Sequence, residues 1–300
     1  MNDPMRTPVV VGVDGSRAAN RALMWAADQA ARLRLPLLLV HSVDFPAFAS
    51  SAGVDFDGSL VWSVEADGER LLTEARDRVR EQFPDLPVEL RVESLSPVAG
   101  LSDASRGARM VVLGSSGKGA LRGALIGSNA VGVLHRAHCP VAVIRGETPA
   151  PEVPAPVLVG VDSSPSSDLA VELAFDEAAW RGAELIAAHA WTDHLAVSAS
   201  VYAYPLPMDW EKMGEAEEKM LAEKIGFWHE KYPEVRVRKV VSCARPTRWL
   251  LELAKGAQLV VVGTRGRSEL ASTFLGSTSQ AMVYHSPCPV LIAREDHRVP

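Results

Sequence analysis

GSSGKGALRGALIGS, residues Gly114 to Ser128, and GTRGRSELASTFLGS, residues Gly263 to Ser277, share one spacing: Gly, two residues, Gly, nine residues, Gly-Ser. Each follows a short apolar run, Met110-Val-Val-Leu113 in the first copy and Leu259-Val-Val-Val262 in the second. Apolar runs of this length that end in glycine read as buried parallel strands. A glycine turn there lets backbone N–H groups approach an anion, and the Gly-Ser beyond it opens a helix whose first amides are unpaired. The spacing therefore predicts two phosphate-binding turns.

Outward from these turns the rest of the chain repeats as well. Val11-Gly-Val-Asp14-Gly-Ser16 recurs 148 residues later as Val159-Gly-Val-Asp162-Ser-Ser164, and His41 recurs as His189. Trp62 and Trp210 keep that offset, whereas Phe83-Pro84 and Tyr232-Pro233 stand 149 apart, as do both glycine turns and the later Cys139-Pro140 and Cys288-Pro289. One inserted residue explains the change, and the pattern is duplication of a domain. The copies span 1–146 and 157–296. Between them, 147–156 carries Pro149, Pro151, Pro154 and Pro156, a composition suited to a stiff linker.

Each copy alternates strand and helix. In the first, an apolar strand runs into Asp14-Gly15-Ser16, where Ser16 is placed to cap a helix over Ala19–Arg34 whose inner face is Ala22, Leu23, Ala26, Ala27 and Ala30. A strand over Leu35–Ser42 follows, then a loop over Val43–Ser63 and a charged helix over Glu65–Gln82 with Leu71, Leu72, Ala75 and Val79 inward. A strand near Val88–Val92, a helix over Pro97–Arg109, the strand before Gly114, a helix over Asn129–Arg136 and a last strand over Cys139–Arg145 complete the copy. The predicted fold is α/β: two tandem Rossmann-like three-layer domains, each with a five-stranded parallel sheet. Ligands of such sheets bind beyond the C-terminal strand ends where the strand order reverses. Asp14, the strand end near His41, and Gly114 all lie at such ends.

That crevice suits nucleotide binding. Amides of Gly114 to Gly117 and of Gly127-Ser128 are placed for phosphates; Asp14 suits a ribose hydroxyl or Mg²⁺ held through water; Val40 to Ser42 offers an apolar slot and backbone groups for adenine. The twin site uses Asp162, the end of the Ile186–His189 strand, Gly263, Gly266, Gly276 and Ser277. Lys118, Arg136, Arg265 and Arg267 are basic groups expected near the phosphates. Other motifs fail: the first turn lacks the four-residue spacing and the Ser or Thr of a Walker loop, and neither a dinucleotide fingerprint nor a nucleophile elbow is present. His135 and His138 beside Cys139 become Tyr284 and Pro287 in the second copy, so no metal set is repeated. No catalytic set is expected, since Asp14 and Asp162 are the one repeated carboxylate at the crevice.

The net charge of -6 excludes a broad basic face for nucleic acid. No apolar stretch is long enough to span a membrane, and no secretion signal opens the chain, so a soluble cytoplasmic protein is expected. Three scattered cysteines form no disulfide framework.

With both glycine turns, Val11-Gly-Val-Asp14-Gly-Ser16, Trp25-Ala-Ala27 and His138-Cys-Pro-Val141, the chain resembles a tandem universal stress protein of the actinobacterial type, in its ATP-binding branch. The resemblance implies ATP at each domain with little turnover, and a regulatory role under stress exerted through a protein partner. By position it implies that Asp14 and Asp162 contact the ribose or phosphate side. Backbone at Val40 or His41, and at Ala188 or His189, would contact adenine, with the glycine and serine positions on phosphates and ribose. Ser268 and Glu269 depart from the family's small residues after the second glycine. The family also implies pairing through the last strands, Val141–Arg145 and Val290–Arg294, and a homodimer. A slow ATP hydrolase or nucleotidyl-transfer enzyme of the related adenine-nucleotide hydrolase fold is the alternative, and a purely structural pairing module is a third.

Overall fold

The computed structural model describes residues 7–43, 59–117, 126–145, 155–191, 210–264 and 275–294. The chain divides into two compact units, one of Met1–Arg145 with Arg294–Pro300 and the other of Gly146–Ala293. The first contains β1 (Val9–Gly12), α1 (Arg17–Leu33), β2 (Leu37–Ser42), α2 (Ser59–Gln82), β3 (Val88–Glu93), α3 (Pro97–Ala104), β4 (Met110–Gly114), α4 (Ser128–Arg136) and β5 (Val141–Ile144). The second contains β6 (Val157–Val161), α5 (Pro165–Arg181), β7 (Leu185–Trp191), α6 (Trp210–Lys231), β8 (Val237–Cys243), α7 (Pro246–Ala254), β9 (Leu259–Gly263), α8 (Ser277–His285) and β10 (Val290–Ala293).

Within the first unit the strands run in the order β3-β2-β1-β4-β5, every pair parallel. Within the second they run β8-β7-β6-β9-β10, again parallel. The registers match: Val9 faces Leu37 and Met110, and Val157 faces Leu185 and Leu259. The central strands are apolar without interruption because helices cover both faces. α1 packs on β1, β4 and β5 and touches α2, while α3 packs on β1 and β2 and touches α4. Right-handed crossovers place the first pair on one face and, once the strand order reverses, the second pair on the other.

α1 follows its expected plan. Ser16 caps it, its hydroxyl accepting from the Ala19 N–H at 3.1 Å, and Ala22, Leu23, Ala26, Ala27 and Ala30 are all fully buried. Alanine methyls let the helix lie close to the strands and keep the crevice beneath its N-terminus narrow.

Two boundaries differ from the sequence reading. α2 begins at Ser59, so helix reaches back into the tail of the expected loop, of which 44–58 lie outside the described residues. The helix expected over Pro97–Arg109 stops at Ala104 and gives way to a 3-10 turn over Ser105–Gly107. Ser105 causes the change: its hydroxyl donates to the Ser102 carbonyl and accepts from the His138 N–H, bonds that compete with continued α-helix. The inserted residue also enters earlier than the Phe83 and Tyr232 pair suggested. Leu72 and Leu221, already 149 apart, occupy the same fully buried place on α2 and α6.

α1 and α5 both end in the left-handed region, α5 with Gly182 at φ 58 and α1 with Arg34 at φ 55. A side chain is strained there where glycine is not. Arg34→Gly is expected to raise stability by about 0.5–1 kcal/mol, read as a higher urea midpoint at unchanged slope.

Burial pushes the Cys139 thiol up to about 12 and its twin Cys288 up to about 11. Folded values above the unfolded one mean that their contribution to stability is complete below the unfolded pKa and is lost as pH rises through the folded values. The unfolding free energy should fall from roughly pH 9 up to about pH 12, and less steeply in Cys139→Ala with Cys288→Ala.

Candidate functional site

β1 pairs with β2 on one side and β4 on the other, so the strand order reverses between β1 and β4. Above their carboxyl ends a cavity of about 530 Å³ opens. The β1 turn contributes Gly12 to Asp14, the end of β2 contributes Val40, His41 and Ser42, and the β4 turn contributes Gly114, Ser116 and Gly117. Ile126 to Ala130 wall the far end where α4 begins, and Pro97 and Leu101 of α3 close one side. The seven residues expected in the first copy's site, Asp14, Val40, His41, Gly114, Gly117, Gly127 and Ser128, all line this one cavity.

The β1 turn is built by its own sequence. Gly15 takes φ 78, a conformation that favours glycine, and the turn carries the Asp14 carboxylate back onto the Ser16 N–H at 2.9 Å. The Ser16 hydroxyl, besides capping α1, donates to the Ser116 carbonyl at 3.4 Å and so ties the β1 turn to the β4 turn. His41 donates through Nδ1–H to the Val13 carbonyl, 2.7 Å away, which fixes the ring at the end of β2. Val40 gives its carbonyl to the Val13 N–H at 2.9 Å. Ser42 Oγ is buried against Gly100 and has no hydrogen-bond partner among the described residues.

The glycines divide into two kinds. A Cβ on Gly114 would stand 2.6 Å from the Ala18 carbonyl carbon and 2.8 Å from the Ala19 nitrogen, so this glycine lets β4 end against the first turn of α1. A Cβ on Gly117 would instead stand 2.7 Å from Asp14 Oδ2, the far end of a side chain at the cavity.

Gly127 corrects the sequence reading. Its N–H donates to the Ser115 carbonyl at 2.8 Å, closing back onto the residue after β4, so this amide is already paired within the protein. Gly276 repeats the closure onto Thr264 at 2.7 Å. The unpaired amides come one step later. α4 starts after Gly127 with no side-chain cap, leaving its first amides, those of Ser128, Asn129 and Ala130, at the cavity. Asn129 and Ala130 were missed because no side-chain pattern marks an amide. Arg136 is also misplaced by the sequence reading: it lies on the last turn of the nine-residue α4, about 12 Å from that end.

In the second unit Asp162, Ala188, His189, Gly263, Gly276 and Ser277 occupy the corresponding strand ends and helix start. Gly266, Arg265, Arg267, Ser268, Glu269 and, in the first unit, Lys118 lie outside the described residues. Among the described residues no three His, Cys, Asp or Glu side chains gather in a metal-binding group, and no helix is long and apolar enough to cross a membrane. Trp210 stacks on Trp191 with ring centres 6.0 Å apart.

The molecule is thus a duplicated α/β protein whose strand order reverses at the same place in each unit, with a crevice above that point in the first. The universal stress protein family matches the chain twice, over residues 5–145 and 155–294. Two universal stress proteins of Mycobacterium tuberculosis are similar along almost the whole length. One is 41% identical over 295 residues, 96% of this chain and 97% of that protein; the other is 40% identical over 311 residues, 97% of each. The crystal structure of a universal stress protein from Archaeoglobus fulgidus shares the fold at a TM-score of 0.69 and 20% identity, covering 97% of both chains. The chain belongs to the universal stress protein family.

The two kinds of glycine should separate in experiment. Gly114→Ala, which meets backbone, should destabilise the protein by about 1–3 kcal/mol, whereas Gly117→Ala, which meets a movable carboxylate, should cost less than about 1 kcal/mol. Urea unfolding of the two variants measures the difference.

Proposed function

We propose that this chain is an ATP-binding regulatory protein of the stress response, built of domains 1–146 and 157–296 on the linker 147–156, each a three-layer module. The observation that carries the reading is the cavity itself. Seven residues scattered from Asp14 to Ser128 converge on it, and it offers the two things a nucleotide needs, an apolar slot at one end and uncapped amides at the other.

Fit can be argued end by end. Val40, Leu101 and Leu113 give the apolar walls for a base, with the unpartnered Ser42 hydroxyl beside them. Gly12 and Gly117 leave room where a side chain would intrude. The N-terminus of α4 suits the phosphates, and Mg²⁺, which takes few protein ligands and several from phosphate and water, is suited by the single Asp14 carboxylate. Bound there, Mg²⁺ would supply charge neutralisation for the phosphates.

Binding without rapid turnover follows from the same walls. Phosphoryl transfer to water needs an oriented water and a positioned base as well as charge stabilisation. Asp14 is the one carboxylate among the described residues lining the cavity, and the His41 ring is held by the Val13 carbonyl. Nucleotide occupancy then acts on the loops around the cavity and on a protein partner. A cytoplasmic setting and a homodimer through the last strands belong to the same reading.

Calorimetry with ATP and Mg²⁺ tests it. Uptake by the wild type, weakened at least about tenfold by Asp14→Ala and by Gly117→Val, is the expected result, and tenfold corresponds to about 1.4 kcal/mol. Protein that neither retains nor takes up ATP at millimolar concentration sinks the proposal. Phosphate release at saturating ATP should stay below roughly 1 per second, and faster release that disappears in Asp14→Ala with Asp162→Ala would favour the hydrolase.

A further inference from the structure

Superposing the two registers pairs Ala18 with Ser166, Ala19 with Ser167 and Ala130 with Ser279, so three methyl groups around the first cavity become hydroxyls in the second unit. All three serines are at most 5% exposed. A buried hydroxyl is costly unless it is bonded. Ser167 Oγ accepts the Asp162 N–H at 3.0 Å, and Ser279 Oγ donates to the Gly263 carbonyl at 2.6 Å. Ser166 Oγ lies 3.3 Å from Ser164 Oγ and 2.6 Å from where a Cβ on Gly263 would stand. Ser164 itself, which pairs with Ser16, gives both its N–H and its O–H to Asp162 Oδ1, at 2.9 and 2.5 Å.

These bonds tie the end of β6 to the first turn of α5 and, separately, the end of β9 to the first turn of α8, with Ser166 packed against Gly263 between the two sets. The counterparts of those four elements are the walls of the first unit's cavity. In the first unit the corresponding serine instead caps its helix, and α5 has no such side-chain cap. Ser163 replaces Gly15 as well, and it lacks the positive φ that shapes the Asp14 turn.

The base end differs in the same sense. His41 and His189 make the same 2.7 Å contact through Nδ1, to Val13 and Val161. The other nitrogen of His189 meets Glu217 Oε2 at 3.0 Å with the histidine fully buried. The residue 149 before Glu217 is Gly68, where an added Cβ would stand 3.0 Å from the His41 ring. Over the end of β7, Trp191 under Trp210 takes the place of Val43.

We infer that the second unit is a hydroxyl-locked counterpart of the first: its serine bonds hold each strand end to the helix start beside it, and the Glu217–His189 pair holds the end of β7, without a ligand. The chain therefore takes one nucleotide, in the first unit. The identity of that ligand rests on the function proposed above; the lock does not.

The experiment uses the full chain in two arms. In calorimetry with ATP and Mg²⁺, one equivalent that is lost in Asp14→Ala and kept in Asp162→Ala supports the inference. Two equivalents, or one that depends on Asp162 and not on Asp14, overturns it. The second arm needs no ligand and compares hydrogen exchange of peptides from 155–191 and 259–264 with those from 7–43 and 110–114. Second-unit peptides should exchange at least about threefold more slowly, and should lose that advantage in Ser166→Ala with Ser167→Ala and Ser279→Ala, which copies the first unit's alanines. Equal exchange in the wild type, or no response to the triple change, overturns the lock. If no nucleotide binds at either unit, the function proposed above fails, and the exchange arm alone decides the lock.

Discussion

Only a hydrogen fits between the end of β4 and the first turn of α1, and the first unit's site depends on that approach. Gly114 permits it, since any Cβ there would run into the Ala18 backbone. With the strand end held against the helix start, the Asp14 turn, the β4 turn and the N-terminus of α4 face one crevice. Gly263 repeats the approach in the second unit, against Ser166. An ordinary strand and helix packed through side chains would stand farther apart and leave the turns too distant to share a ligand.

Duplication gave two units with one plan, and the two have since solved the same junction with different chemistry. Beside the first cavity Ala18, Ala19 and Ala130 bring methyl groups, and the first amides of α4 are uncapped, as those of α8 are in the second unit. In the second the Ser164 hydroxyl bonds to Asp162 and lies beside that of Ser166, while Ser167 and Ser279 bond to the backbone of Asp162 and Gly263. The contrast is one of methyl against hydroxyl at the strand and helix ends, not of fold, since strand order and register agree. Membership of the universal stress protein family accounts for the shared plan and is silent on this difference.

Much of the architecture was legible because it rests on local chemistry. Apolar runs, the alanine face of α1, the Ser16 cap and the glycine spacing each act within a few residues, and each predicted its element. The errors share a different origin. Ser105 breaks its helix partly through the His138 amide, 33 residues away, and Gly127 spends its amide on Ser115 across a closed segment. Arg136 was expected beside the Gly127-Ser128 turn by its closeness in sequence, but a helix carries its last residue away from its first.

By itself the sequence determined that there are two α/β copies, which strands are central, and which turn residues stand at their ends, because periodicity and turn chemistry are written in neighbouring residues. Tertiary structure alone decided which of those groups are spent and which are left for a ligand. Ser16 finds the Ser116 carbonyl across 100 positions, and His189 finds Glu217 across 28. A hydrogen bond is consumed by whatever partner the fold delivers within about 3 Å, and no spacing along the chain reports that distance.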